Sequence, residues 1–363
     1  MKTINVILFG IGNVGSAIIN QILQANDQVF NKQGFQINVP IIVNSSLAFY
    51  NSNSLGHNWE TDFKNFSVPY KIEDIIKFVK HHELENLVAV DATASSNIVN
   101  SYLLLIENGF HIVAANKIAN SLSYDFYAQL RNHIKAYNRK FYYSTNVGAG
   151  LPVLSTLRSL KESGDEVLKV RGVFSGSLSF LFNQLSEGER PFSNILKHAR
   201  NLGYTEPDPR IDLSGQDVAR KLLIIARELD LKFELEHIEV QSLVPKQLNG
   251  QTSLEQFNAR VLELDCTIEQ FVNAKSTNEV LRYVAELDVK EQQAKVKLIT
   301  VSKNSNYGLL QGTNNLFEIY SKQYGNEPVS IVGAGAGREV TATGVLKDLV
   351  AIAQSIANVQ SYF

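Results

Sequence analysis

The sequence predicts an α/β protein: a doubly wound parallel sheet followed by a second, α+β domain. Residues 1–147 alternate short apolar, β-rich runs with segments of helical spacing, the pattern of a parallel sheet covered by helices on its faces. A glycine-rich turn joins the first run directly to the first helix. After Pro152 the runs change character, and two of them flank a turn that reads as a hairpin.

INVILF (4–9) is the first strand, and NVGSAIINQIL (13–23) places Val14, Ile18 and Ile22 on one helix face. VPIIVNS (39–45) is the second strand. Residues 50–70 are polar and turn-rich, which predicts a surface insertion. LVAVDA (87–92), a helix from about Ile98 to Asn108, HIVAAN (111–116), a helix around 123–137 and FYYSTN (141–146) continue the alternation. In the second part, VLKVRGVF (167–174), VLRYVAELDV (280–289) and AKVKLITVS (294–302) are strands, the last two joined by KEQQ, with helices between the first strand and that pair. SIVGAGAGREVTATGVLKDLVAIAQ (330–354) reads as strand, glycine turn and helix, and is expected to return to the first domain. The expected division is therefore 1–150 plus about 330–363 for one domain and 151–329 for the other.

With 363 residues, 44% hydrophobic content and a formal charge of −2, the chain is of ordinary globular composition. That balance offers no electrostatic case for nucleic acid or an anionic membrane. No apolar run reaches the roughly 18 residues of a membrane helix. The single cysteine, Cys266, excludes an internal disulfide and fits a reducing cytoplasm. The seven histidines are scattered, without the spacing of a transition-metal site.

Gly10-Ile11-Gly12-Asn13-Val14-Gly15 is a GxGxxG between a strand and a helix, at the start of a βαβ pattern. In that context it predicts a Rossmann-type dinucleotide site, its glycines letting the backbone approach a pyrophosphate at the helix N-terminus. The second strand ends in Asn44-Ser45-Ser46, with neither an acid for a ribose 2′-OH nor an arginine for a 2′-phosphate nearby. NADP and NAD are thus both expected to work. The later strand ends in Asp91-Ala92-Thr93-Ala94-Ser95-Ser96. Its hydroxyls lie at the sheet's carboxyl edge, where ligands bind, although Ser95 or Ser96 equally suits a helix N-cap.

GYTEPDPRIDLSGQDVARK (203–221) holds seven charged side chains in nineteen positions. Ser214 and Asp217 have capping-box spacing, and Asp217 and Lys221 are i,i+4 in the favourable acid-first order. Val218, Leu222, Ile225 and Leu229 form an apolar stripe beside them. A rigid turn, a capped helix and an ion pair account for this stretch on spacing alone.

NVGAGLPVL (146–154), FSGSLSFLFN (174–183), GYTEPDPRIDLSGQDVARKLLIIARE (203–228) and GAGAGREVTATGV (333–345), in this order, resemble homoserine dehydrogenase. The likeness runs the length of the chain and is nearest to the dehydrogenase half of bifunctional aspartokinase–homoserine dehydrogenases. Because the chain begins directly at the dehydrogenase strand, no kinase or regulatory half is expected. The resemblance implies NAD(P)-dependent interconversion of L-homoserine and L-aspartate 4-semialdehyde in aspartate-family (threonine and methionine) biosynthesis. It implies Lys221 as catalytic acid/base and Lys117 as a second active-site lysine that also contacts cofactor. Glu206 and Asp217 would hold the substrate's ammonium group, with Gly176 also at the substrate. Thr93, Gly335 and Gly337 would contact cofactor, beside Gly10, Gly12, Asn13, Val14, Gly15, Asn44, Ser45 and Ser95. It further implies a homodimer or homotetramer built on the second domain.

Two positions depart from the family pattern. Ser144 stands where an acid usually completes a main-chain cation site with the carbonyls of Val147 and Ala149, so sodium or potassium is not expected to bind. Ile211 replaces a common aspartate, with no loss of chemistry expected. A thioester-forming aldehyde dehydrogenase would need an activated thiolate, and Cys266 in LELDCTIEQF has no cationic activator. A dinucleotide-sensing protein would not need two lysines beside a carboxylate clamp.

Overall fold

The computed structural model describes residues 2–25, 30–52, 55–188, 190–250 and 252–360. The chain divides into two compact units, Met1–Gly150 with Gly337–Phe363, and Leu151–Ala336.

The first unit is built on β1 (Lys2–Phe9), β2 (Phe35–Val43), β3 (Leu47–Tyr50), β4 (Val68–Pro69), β5 (Leu87–Asp91), β6 (His111–Ala114) and β7 (Phe141–Tyr142), in the spatial order β4-β3-β2-β1-β5-β6-β7. β2, β1, β5, β6 and β7 run parallel, and β3 and β4 add an antiparallel edge. The apolar runs of β1 and β5 are buried on both faces, which is why they read as continuous rather than alternating. The helix Asn13–Ala25 buries Ile18 and Ile22, and the helix Arg338–Gln360 buries Val345, Leu349 and Ile352 in the same core as Ile4, Val6 and Leu8. Each such side chain contributes roughly 1.5–3 kcal/mol.

Two segments differ from expectation. The expected helix over 98–108 is two short helices, Ser96–Val99 and Tyr102–Glu107, broken around Asn100 and Ser101. Residues 50–70 are not a mere surface insertion, although positions 53 and 54 lie outside the described residues. Trp59 and Phe63, spaced i,i+4 on the helix Trp59–Phe66, are buried in the core, and Trp59 Nε1 donates to Asn20 Oδ1 at 3.2 Å. The polar average of this stretch conceals one apolar helix face.

The second unit is a six-stranded mixed sheet of β8 (Val167–Val173), β9 (Ile238–Val240), β10 (Glu279–Asp288), β11 (Gln293–Ser302), β12 (Asn314–Ser321) and β13 (Val329–Ala334), in the order β13-β12-β8-β10-β11-β9. β10 and β11 form the expected hairpin, in register from Glu279↔Ser302 to Asp288↔Gln293. The strand of the 330–354 stretch pairs with β12 in this sheet, and only the helix after it joins the first unit. This corrects the expectation that strand and helix return together. Gly337, directly before that helix, has φ 127°, a backbone conformation that favours glycine.

Candidate active site

In the first unit, Gly10 follows β1 at φ 93°, its N–H donating to the carbonyl of Val43 at 2.8 Å. A β-carbon at Gly10 would lie 2.9 Å from the carbonyl oxygen of Ala92, and one at Gly15 would overlap the carbonyl of Gly10. These two glycines therefore let the first helix start directly against the ends of β1 and β5. Gly12 faces open space and Asn13 is exposed at the helix N-terminus, so unsatisfied N–H groups are available to an anion. A cleft of about 660 Å³ opens here, and its lining includes Gly10, Gly12, Asn44, Ser45, Thr93 and Ser95. Asn13, Val14, Gly15 and Lys117 are outside that lining.

The cleft also takes in two residues that the sequence pattern left without a role, Tyr70 and Lys71, just before the helix Ile72–His81. Lys71 is exposed, and no carboxylate lines the cleft among the described residues. Asn44 has a structural duty: its Oδ1 accepts from Ser46 N–H (2.9 Å) and Leu47 N–H (2.7 Å), holding the turn into β3. Ser95 is the N-cap of the helix Ser96–Val99, accepting from Asn97 N–H at 3.2 Å. Asp91, buried at the end of β5, accepts from Thr93 N–H at 2.8 Å, and burial pushes its carboxyl up against the lowering effect of its hydrogen bonds. Lys117 is the N-cap residue of the helix Ile118–Ser121.

The second unit carries the acidic stretch. Asp208 pairs with Arg210 (2.6 Å), which holds that carboxyl below its usual range, while Arg210 also donates to Thr252 O at 2.7 Å. The loop is thereby fixed. The capping box predicted at Ser214 is absent: the N-cap of the helix Gln216–Glu228 is Gly215 at φ 73°. Ser214 Oγ instead donates to Ile211 O and accepts from Gln216 N–H. The reason is local, since the short helix Arg210–Leu213 runs almost directly into the longer one.

Asp217 Oδ2 lies 2.9 Å from Lys221 Nζ, and the same ammonium donates to the carbonyl of Phe174 at 2.7 Å. Lys221 is 8% exposed, whereas the Asp217 side chain keeps 39% of its surface open. Asp212, a residue the sequence reading passed over, accepts from Ser177 Oγ (2.6 Å) and from the backbone N–H of Glu206 (2.9 Å). Burial pushes the Asp212 carboxyl up, these two donors pull it down, and Asp217 raises it further. Glu206 itself is exposed, with its backbone held by Asp212. Gly176 opens the helix Gly176–Glu187, one residue beyond its Ser175 N-cap. Gly335 has a packing reason, because a β-carbon there would overlap the Asn315 side chain. Gly337 is exposed in the first unit.

At the candidate cation position, Ser144 Oγ donates to Asp348 Oδ1 (2.6 Å) and Ser144 N–H donates to Asp348 Oδ2 (2.9 Å). Position 144 carries a hydroxyl in place of the family's acid beside Val147 and Ala149, and the carboxylate against it belongs to Asp348.

Residues 10–144 match the family described as homoserine dehydrogenase, NAD binding domain, and residues 152–350 match homoserine dehydrogenase. The chain is 38% identical over 351 residues to a bifunctional aspartokinase/homoserine dehydrogenase of Haemophilus influenzae, covering 96% of this chain and 43% of that protein. It thus spans less than half the length of that curated relative. A Candida auris protein of unknown function superposes with a TM-score of 0.88 at 32% identity, over 98% of this chain and 99% of that one. A hyperthermophilic archaeal homoserine dehydrogenase in complex with NADPH shares the fold, with a TM-score of 0.73 at 22% identity over 97% and 98% of the two chains. With both of its units matched in this way, the chain belongs to the homoserine dehydrogenase family.

Proposed function

We propose that the protein is an NAD(P)-dependent homoserine dehydrogenase that interconverts L-homoserine and L-aspartate 4-semialdehyde in aspartate-family amino-acid biosynthesis. The observation that carries this reading is the buried Lys221, paired with Asp217 in a chain of this family. A bound nicotinamide supplies the hydride acceptor or donor. The N–H groups beside Gly12 and Asn13 would hold the pyrophosphate of the dinucleotide, with Thr93 and Ser95 along the same cleft. Lys117 would stand at the nicotinamide.

Glu206 and Asp217 would bind the substrate's ammonium group, as a zwitterionic amino acid requires. The reacting oxygen gains negative charge during aldehyde reduction. Lys221, held by Asp217 and the Phe174 carbonyl, would stabilise that charge and deliver the proton; in the reverse direction it would accept the proton.

NADP is the cofactor we expect to bind better. Lys71 lines the cleft along with Ser45 and offers a cation to a 2′-phosphate, and among the described residues no carboxylate in the lining repels one. We further propose a homodimer or homotetramer built on the second unit, whose edge strand β13 leaves Val332 55% exposed. Its single cysteine suits a reducing compartment such as the cytoplasm. Among the described residues, no helix is long and apolar enough to cross a membrane.

Homoserine-dependent formation of NADPH tests the activity. Purified protein that binds NADPH yet forms none from homoserine and NADP would leave a binding protein as the better reading. Light scattering of the purified protein tests the assembly, and a monomeric mass would refute it.

A further inference from the structure

Asp91 ends β5, and Asn116 lies two residues beyond the end of β6. Both are nearly inaccessible, at 1% and 3% exposure. The backbone joins them first, since the N–H groups of Ala115 and Asn116 donate to the Asp91 carbonyl at 2.9 and 3.3 Å. Their side chains then meet, with Asn116 Nδ2 donating to Asp91 Oδ2 at 3.0 Å. Asp91 Oδ1 accepts from Thr93 N–H (2.8 Å), and Asp91 Oδ2 also accepts from the Tyr102 hydroxyl (2.7 Å).

Asn116 uses the rest of its carboxamide on the functional side. Its Nδ2 reaches the carbonyl of Ser95 at 3.0 Å and Thr93 Oγ1 at 3.3 Å, and both Thr93 and Ser95 line the cofactor cleft. Its Oδ1 accepts from Ile118 N–H at 3.0 Å, closing an Asx turn around Lys117. A single buried amide therefore sets the cleft wall and the backbone of the candidate active-site lysine together.

We infer that Asp91 and Asn116 are positioning residues for the reaction, holding Thr93, Ser95 and Lys117 in one fixed arrangement. The inference rests on the proposed dehydrogenase function. Buried networks of satisfied groups lock geometry, because every alternative arrangement leaves a donor or acceptor unpaired. Asp91→Asn is isosteric but replaces one acceptor oxygen by a donor facing N–H and O–H groups. Asn116→Ala removes the bridge while leaving Asp91 bonded to Thr93 and Tyr102.

The control is Tyr102→Phe, which removes one hydrogen bond to the same carboxylate from a residue outside the cleft lining. A purely structural role for Asp91 makes all three variants alike. Positioning makes them differ. Asp91→Asn and Asn116→Ala should lower kcat by about 10²-fold, the cost of a small misplacement at a reacting centre. Both should weaken NADPH binding, read directly by NADPH fluorescence, while KM for homoserine stays at the wild-type value. Tyr102→Phe should lower Tm and leave kcat and NADPH affinity unchanged.

Wild-type kcat and NADPH affinity in Asn116→Ala, or equal kinetic losses in Tyr102→Phe, would overturn the inference. If Asp91→Asn does not fold, Asn116→Ala decides. A wild-type protein that binds NADPH but does not oxidise homoserine would sink the proposed function alone, and the binding measurements would still decide this point.

Discussion

Lys221 Nζ stands 2.9 Å from the Asp217 carboxylate, one helical turn earlier on the same helix. The acid is partly open and the lysine is buried, so Asp217 can take a second cation while keeping its hold on the first. That is the arrangement an ammonium-bearing substrate needs. Lys221→Ala should therefore lose about 10²–10⁴ in kcat, the usual range for one acid/base group. NADPH binding should persist, because the lining of the proposed cofactor cleft belongs to the other unit.

Asp217→Asn should act mainly through KM for homoserine. A charge-assisted hydrogen bond is worth about 1.5–3 kcal/mol, so a rise of roughly 10- to 100-fold is expected. Steady-state kinetics at saturating NADP measures it. An unchanged KM would remove Asp217 from the substrate clamp.

Cofactor choice should follow Lys71 and Ser45. Lys71→Ala should raise KM for NADP by about tenfold, the lower end for a lost charge-assisted contact at an exposed site, and leave KM for NAD unchanged. Ser45→Asp should penalise NADP further by placing a carboxylate against the 2′-phosphate. Parallel kinetics with the two nucleotides tests both variants. An unchanged NADP-to-NAD ratio in the pair would show that the ribose lies elsewhere.

Acid stability should depend on His111. This ring is 6% exposed, and burial, aided by Arg139 and Lys140, lowers its pKa from 6.5 to about 4. Its Nδ1 accepts from Lys140 N–H at 2.9 Å, which requires the neutral form. Between pH 6.5 and 4 the unfolded chain therefore binds the extra proton, so stability is full above that window and falls as pH drops through it. The loss amounts to about 3 kcal/mol. Thermal melts should show this slope in the wild type and a flatter one in His111→Asn, whose Oδ1 can still accept from Lys140. Identical slopes would contradict the assignment.

With Ser144 committed to Asp348, the rate should not depend on which monovalent cation is present. Exchanging sodium, potassium and choline at constant ionic strength tests this, and saturable activation by one ion would refute it.

What the sequence made legible was local. Gly10, Gly12 and Gly15 declare a strand-to-helix turn by their spacing, and Asp217 and Lys221 declare an ion pair by theirs. Lys71 escaped notice because only the fold carries it into the same cleft as Ser45, from 26 residues downstream. Asp91 and Asn116 read as ordinary strand ends, since their pairing depends on the parallel register of β5 and β6. Trp59 and Phe63 were hidden by polar neighbours, and the capping box at Ser214 failed because Gly215, in a left-handed conformation, took the N-cap position.

The most direct test is the initial rate of NADPH formation from L-homoserine and NADP, measured side by side for the wild type and Lys221→Ala with NADPH binding confirmed for both. The account predicts turnover in the wild type, dependent on both substrates, and a loss of about 10²–10⁴ in the variant at unchanged NADPH affinity. Near-equal rates in the two proteins, or no turnover in a wild type that binds NADPH, would contradict it.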